Sequence, residues 1–283
     1  MLQEPGGCHA GKNNEISGTP SCIIRIFGHK LRSMGSFFLK AYSILAWGTM
    51  VLTSLVITPI FLLVWVLTFW WDRRRVAAHY MGTFWAWHYQ SLIPFWKLRL
   101  EGREKIPFRR PVVLVANHRS LVDILALYKL RRPFKWTSKA ENFRLPFVGM
   151  VLSLTRSIRI HRESARSGYQ FLTQAEQEMA KGSSILIFPE GTRSRSGSMR
   201  PFKEGAFLLA RKMGCGIIPI VHTGSEKTFD HGSWVLKGKS VIRIRVLDEI
   251  GPEEVGRMEI RELMATVRDR MEAGLLQLEK EQD

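Results

Sequence analysis

The chain has 283 residues, 45% of them hydrophobic, and a formal charge of +17. That is enough to bury one substantial α/β domain with an appendage. Its three cysteines, Cys8, Cys22 and Cys215, are odd in number and lack ligand spacing, which excludes a disulfide framework and a zinc site and suits a reducing, cytosol-facing domain.

The charge is uneven. Residues 251–283 carry nine acids and five bases, so the first 250 residues stand at +21. An excess of this sign favours an anionic partner, whether nucleic acid, an acidic membrane surface or a phosphorylated substrate. It equally describes a well-solvated basic surface.

In chain order, residues 1–34 read as a disordered tail, because residues 1–22 are polar and rich in Gly, Pro and Asn. Met34 offers an alternative start. Residues 35–96 read as a membrane-associated helical segment. Within it, residues 41–71 contain no charged side chain. As a helix they would extend about 46 Å against a hydrocarbon core of roughly 30 Å, long for one straight span and short for two. Pro59 can break or kink that helix. Trp65, Trp70 and Trp71 suit a membrane interface, and both flanks are basic (Arg25, Lys30, Arg32 and Lys40 before, Arg73 to Arg75 after). The segment therefore predicts either a hairpin dipping into one leaflet with both ends cytosolic or a tilted single span. Residues 76–96 are aromatic and amphipathic, fit to lie on a bilayer or to pack on the domain.

From residue 97 the pattern becomes α/β and continues to residue 283. Apolar strands are predicted at 97–101, 111–116, 134–138, 184–188, 216–221 and 241–247. Helices are predicted at about 121–130, 164–181, 203–213 and 257–279. The last is amphipathic, with Ile260, Leu263, Met264, Val267, Met271, Leu275 and Leu278 on one face. Strands alternating with helices predict a mostly parallel sheet covered by helices.

Two strand ends carry chemistry. In "VVLVANHRSLVDI" (112–124) a buried strand stops at Asn117 and His118, and Asp123 follows five residues after the histidine. Within one helix, that spacing would set the two side chains about 140° apart. They meet only if His118 precedes the helix. Ser120 as N-cap with Asp123 at the third helical position would give that start, as a capping box. Asp123 then either only closes the helix or also orients the His118 imidazole as a proton acceptor. In "ILIFPEGTRSRSGSMRPFKEG" (185–205), Gly191 permits unusual backbone geometry and Arg193 offers a fork suited to phosphate, with Arg195, Arg200 and Lys203 adding positive field. If the two strands are parallel, both motifs open onto one crevice at their carboxyl ends.

Together these stretches resemble the glycerolipid acyltransferase family, most closely its 1-acyl-glycerol-3-phosphate acyltransferase branch, over about residues 40–250. "NHRSLVD" (117–123), with Asn117 and Ser120, is similar to the family's first block. "FPEGTRS" (188–194), with Pro189, matches the third. "KAENFRLPFVGMVLSLTRSIRIHR" (139–162) and "IIPIVHTG" (217–224), around Pro219, resemble the second and fourth. His161 and Asn142 depart from the second block, where an acid and an apolar residue are expected. The resemblance implies a glycerol-3-phosphate acyltransferase-like α/β fold with a membrane-embedded helical segment. It also implies acyl transfer to the sn-2 hydroxyl of lysophosphatidate, with acyl-CoA or acyl-carrier protein as co-substrate and no cofactor, metal or nucleic acid. His118 would be the general base and Asp123 its orienting partner, with no covalent acyl-enzyme. Lys139, Arg162, Glu190, Gly191, Thr192 and Arg193 would form the glycerol-phosphate site, with Arg193, Lys139 and Arg162 holding the phosphate and Glu190 and Gly191 shaping the loop. The catalytic domain would face the cytosol at the cytoplasmic membrane, among membrane phospholipids. A sibling enzyme acting on another lysolipid, such as a lyso-ornithine lipid, and a non-catalytic binder of anionic membranes are the alternatives.

Overall fold

The computed structural model describes residues 20–161, 165–194, 198–230 and 232–281. Helix α1 (Pro20–Thr68) is followed by α2 (Val76–Ser91) and then by the α/β domain. The domain's elements are β1 (Trp96–Glu101), β2 (Val113–Ala116), α3 (Val122–Leu127), β3 (Phe134–Lys139), α4 (Val148–Leu154), β4 (Ile158–Ile160), α5 (Ala165–Ala180) and β5 (Ser184–Ile187). They continue with α6 (Gly205–Lys212), β6 (Ile217–Thr223), β7 (Ser240–Val246), α7 (Pro252–Arg257) and α8 (Ile260–Lys280). The predicted strands and the terminal helix are all present. The short β4, α4 and α7 carry too few residues to show a period and were not anticipated.

One seven-stranded sheet has the order β1-β7-β6-β2-β5-β3-β4. All neighbours are parallel except β6 and β7. Every residue of β2, β5 and β6 is buried. Their side chains alternate between two cores. Leu114, Leu186, Ile218 and Ile220 pack toward α2 and α3, whereas Val113, Val115, Ile185, Ile187 and Val221 pack toward α5, α6 and α8. Two covered faces explain why these strands read as unbroken apolar runs. The order β2-β5-β3 sets three parallel carboxyl ends side by side, which is what gathers the site.

Residues 20–34, assigned to the tail from composition, are helical, and residues 1–19 lie outside the described residues. Of the two outcomes expected at Pro59, a break or a kink, the break does not occur. Helix α1 runs through it, because proline removes only its own N–H while the flanking turns keep theirs. The chain reverses instead at residues 69–75. There Asp72 accepts the N–H groups of Val76 (2.9 Å) and Ala77 (2.8 Å), starting α2. Helix α2 then packs back on α1 through Ile57, Phe61, Ala78 and Trp85. Ser43, Ala46, Met50, Ser54, Ile57 and Phe61 form the buried stripe of α1, while Leu45, Leu52, Leu55, Val56, Leu63, Trp70 and Trp71 on and just beyond it are exposed. Phe37–Thr68 is long and apolar enough to cross a membrane. Helix α2 similarly buries Trp85 and Ala86 and exposes Tyr80, Phe84 and Trp87.

Candidate active site

Strand β2 ends at Ala116, and Asn117 fastens that end. Its amide donates to the carbonyl of His222 at 2.9 Å and accepts the His222 N–H at 2.9 Å, continuing the β2–β6 ladder through a side chain. The chain can then leave the sheet at His118. Its ring stacks on Phe188 at the end of β5, with centroids 4.1 Å apart and planes 16° from parallel.

His118 Nδ1 lies 2.8 Å from Asp123 Oδ2. The same oxygen accepts the backbone N–H groups of Arg119 (2.7 Å) and Ser120 (2.9 Å), and Ser120 Oγ accepts the N–H of Val122 at 3.3 Å. The expected N-cap is corrected: α3 begins after Leu121, with no side-chain capping bond, and Asp123 is its second residue, yet its carboxylate both closes the loop 118–120 and meets the imidazole the loop carries. The Asp123 side chain is 0% exposed and that of His118 is 17% exposed. Burial pushes the Asp123 carboxyl up, but neighbouring His222, the bond and charge of His118 and the Ser120 N–H outweigh it and hold it below the usual carboxylate range. An ionised carboxylate only accepts, so Nδ1 carries the proton and Nε2 is left with a lone pair.

Glu190 shapes its loop from within. Its side chain is buried, with Oε1 accepting the N–H of His118 and Oε2 that of Arg200, each at 2.9 Å. Ser194 N–H donates to the His118 carbonyl at 2.8 Å. Glu190 is thus a strap holding the β5 loop against the β2 loop. A second carboxylate facing the cavity would repel a phosphate.

The two loops enclose a cavity of about 510 Å³. His118, Phe188, Pro189, Lys139 from the end of β3, Gly191, Thr192, Arg193 and Lys203 all line it. Gly191 has φ +68°, and a Cβ there would meet Lys203 Cε at 3.0 Å, so this turn favours glycine and lets the lysine lie across it. Lys203 N–H donates to the Pro189 carbonyl at 2.9 Å, which brings that side chain back over the loop. Among the described residues, no carboxylate pairs with Lys139, Arg193 or Lys203. Pro219 is buried in β6 opposite Val115, away from the cavity, as a packing residue. Arg162 and Arg195 lie outside the described residues. His161 and Asn142, the two departures in the second block, both line the cavity.

A sequence model of the acyltransferase family matches residues 97–223, the stretch that builds both loops and the cavity. The 1-acyl-sn-glycerol-3-phosphate acyltransferase of Borreliella burgdorferi is 33% identical over 176 residues, 62% of this chain and 70% of that protein. This chain belongs to the acyltransferase family. The 1-acyl-sn-glycerol-3-phosphate acyltransferase of Chlamydomonas reinhardtii is 39% identical over 196 residues, 69% of this chain. The chain spans about half the length of such plant and algal family members: 58% of the Chlamydomonas protein and 47% of the chloroplast protein of Arabidopsis thaliana. The crystal structure of the 1-acyl-sn-glycerophosphate acyltransferase of Thermotoga maritima superposes with a TM-score of 0.72 at 22% identity, covering 88% of this chain and 98% of that one. That likeness establishes the α/β fold of this family member.

Proposed function

We propose that this acyltransferase moves a fatty acyl group from a thioester to the sn-2 hydroxyl of 1-acyl-glycerol-3-phosphate, making phosphatidate. One observation carries the reading: His118, bonded to Asp123 behind it, and the cations Lys139, Arg193 and Lys203, none of them paired with a carboxylate among the described residues, line one cavity. A phosphate held by the cations places the glycerol hydroxyl near His118 Nε2. The imidazole takes the hydroxyl proton as the oxygen attacks the thioester carbonyl. The C–S bond then breaks, and the imidazolium returns the proton to the departing thiolate. No acyl-enzyme is required, since Ser120 Oγ already accepts a backbone N–H. Asp123 keeps Nδ1 protonated and stabilises the imidazolium.

The acyl donor in this reading is acyl-CoA or acyl-carrier protein. The exposed apolar surface of α1 and α2 sits in a phospholipid membrane, where the lysolipid resides, with the basic domain against the cytosolic face of the cytoplasmic membrane. The test is a competition in detergent micelles between lysophosphatidate and lysolipids lacking a phosphomonoester, offered with each donor and read by product mass. Preferential formation of phosphatidate is expected. Equal or better use of an acceptor without that phosphate, a lyso-ornithine lipid for example, overturns the acceptor assignment.

A further inference from the structure

His222 lies in the middle of the apolar strand β6 and is 0% exposed. Its Nε2 is 2.5 Å from the carbonyl oxygen of Asn117. A carbonyl only accepts, so Nε2 carries a hydrogen. The other nitrogen, Nδ1, lies 3.7 Å from Asp123 Oδ1, and neither atom has a hydrogen-bond partner among the described residues. Asp123 therefore uses one oxygen for three donors on the His118 side and turns the other toward His222 alone. A neutral His222 would aim a lone pair at a carboxylate oxygen, two buried acceptors with no hydrogen between them.

We propose that His222 is a positioning residue of the site, an imidazolium whose Nδ1–H faces the second oxygen of Asp123 as an ion pair across 3.7 Å. The carboxylate is then held between two imidazoles, with His118 facing the cavity and His222 sealed beneath the sheet end. The three donors on Oδ2 favour an ionised Asp123, which assigns the extra proton to His222 rather than to the acid.

The surrounding charges are consistent with one positive charge at this place. On the β2–α3 side, Arg119 donates to Thr223 Oγ1 at 3.2 Å and pairs with Glu279 (2.8 Å) and Glu226 (3.7 Å). On β7, apolar Ile244 stands opposite His222, while Arg243 and Arg245 flank it on the opposite face of the strand and pair with Glu281 at 3.7 and 2.8 Å. Asp123 is thus the carboxylate nearest the ring. The consequence reaches His118 through Asp123. A carboxylate facing two imidazoles gives the imidazolium of the proposed reaction less stabilisation at His118 than one devoted to it.

This inference rests on His118 being the base only for its kinetic consequence. In His222→Gln the amide fills the space and can donate a hydrogen bond but carries no charge. The acid limb of the kcat/KM profile should then move up by about one pH unit, the size of effect of a nearby charge. A role confined to packing would lower Tm and turnover together and leave that limb in place, and an unmoved limb in a folded His222→Gln enzyme overturns the proposal. The second measurement needs no substrate. In histidine-selective ¹⁵N spectra of the wild-type protein, with His222 assigned by substituting the other histidines in turn, both ring nitrogens should be protonated at neutral pH. A bare Nδ1 overturns the proposal whatever the enzyme's substrate. Failure of the wild type to acylate lysophosphatidate would strike the functional reading and leave this spectrum unaffected.

Discussion

The two loops that meet at the cavity are built in opposite ways. The loop after β2 is saturated with fixed contacts: Asn117 is locked to β6, Asp123 Oδ2 takes three donors, and His118 is stacked and bonded. The loop after β5 presents exposed Arg193, with Lys203 and Lys139 beside it, and no carboxylate among the described residues neutralises them. In the proposed reaction a base must be held in line with its proton, so rigidity suits the first loop. An anion site must leave its charge unspent until substrate arrives, so openness serves the second. Glu190 is where the two designs join, since its carboxylate belongs by sequence to the open loop and by hydrogen bonding to the rigid one.

The largest expected effect breaks the rigid half. His118→Ala should lower kcat by at least about 10²–10⁴ with the Michaelis constant for the acceptor little changed. Near-normal turnover would remove His118 from the chemistry. On the open half, Arg193→Ala should raise the Michaelis constant for the phosphorylated acceptor by roughly tenfold or more, as expected for a lost charge-assisted bond. Its Tm should be unaltered, and an effect confined to the acyl donor would refute the assignment. Glu190→Gln should behave like neither. Its amide would face a backbone N–H with a donor, which costs about 1–3 kcal/mol and lowers Tm by several degrees. A Michaelis effect without a Tm effect would return Glu190 to the ligand set.

The smallest effect uses two lysines of one strand. Lys135 on β3 is buried, donating to the carbonyls of Arg74 (3.0 Å) and Thr155 (2.6 Å), whereas Lys139 at the strand's end faces the cavity. Burial, only partly offset by Glu178, lowers the Lys135 pKa to about 8 from 10.5. Between those values the unfolded chain binds more protons than the folded one, so this group's contribution to stability rises with pH across that window. Lys135→Met should lose that rise, seen as a Tm difference from wild type that changes between pH 8 and 10.5, with kinetics intact. Lys139→Ala should do the reverse. An identical pH dependence of Tm in wild type and Lys135→Met would show that the buried ammonium is not perturbed.

How much could be read in advance follows from how far apart the partners lie. His118 and Asp123 are five residues apart, so a helix starting between them can bring them together, and the family resemblance selects that pairing. The strands β2, β5 and β6 are buried on both faces, so their apolar runs were plain. Glu190 reads from the family resemblance as shaping its loop, but its strap to His118 has no local signal, because that N–H is 72 residues away. His222 was passed over because a histidine inside an apolar strand carries no local signal, and its meaning comes from Asn117 and Asp123 across the sheet. Lys203 was read only as added field, since nothing in the sequence shows that it folds back over Gly191.

The central claim, that a rigid His–Asp base and an open phosphate site serve one acyl transfer, is tested most directly by product formation. Purified wild type and His118→Ala, both shown to be folded, would be given lysophosphatidate with acyl-CoA or acyl-carrier protein, and the lipids identified by mass. Phosphatidate from the wild type and essentially none from His118→Ala is the predicted result. Phosphatidate formed equally by both proteins, or none by the wild type with either donor, would contradict it.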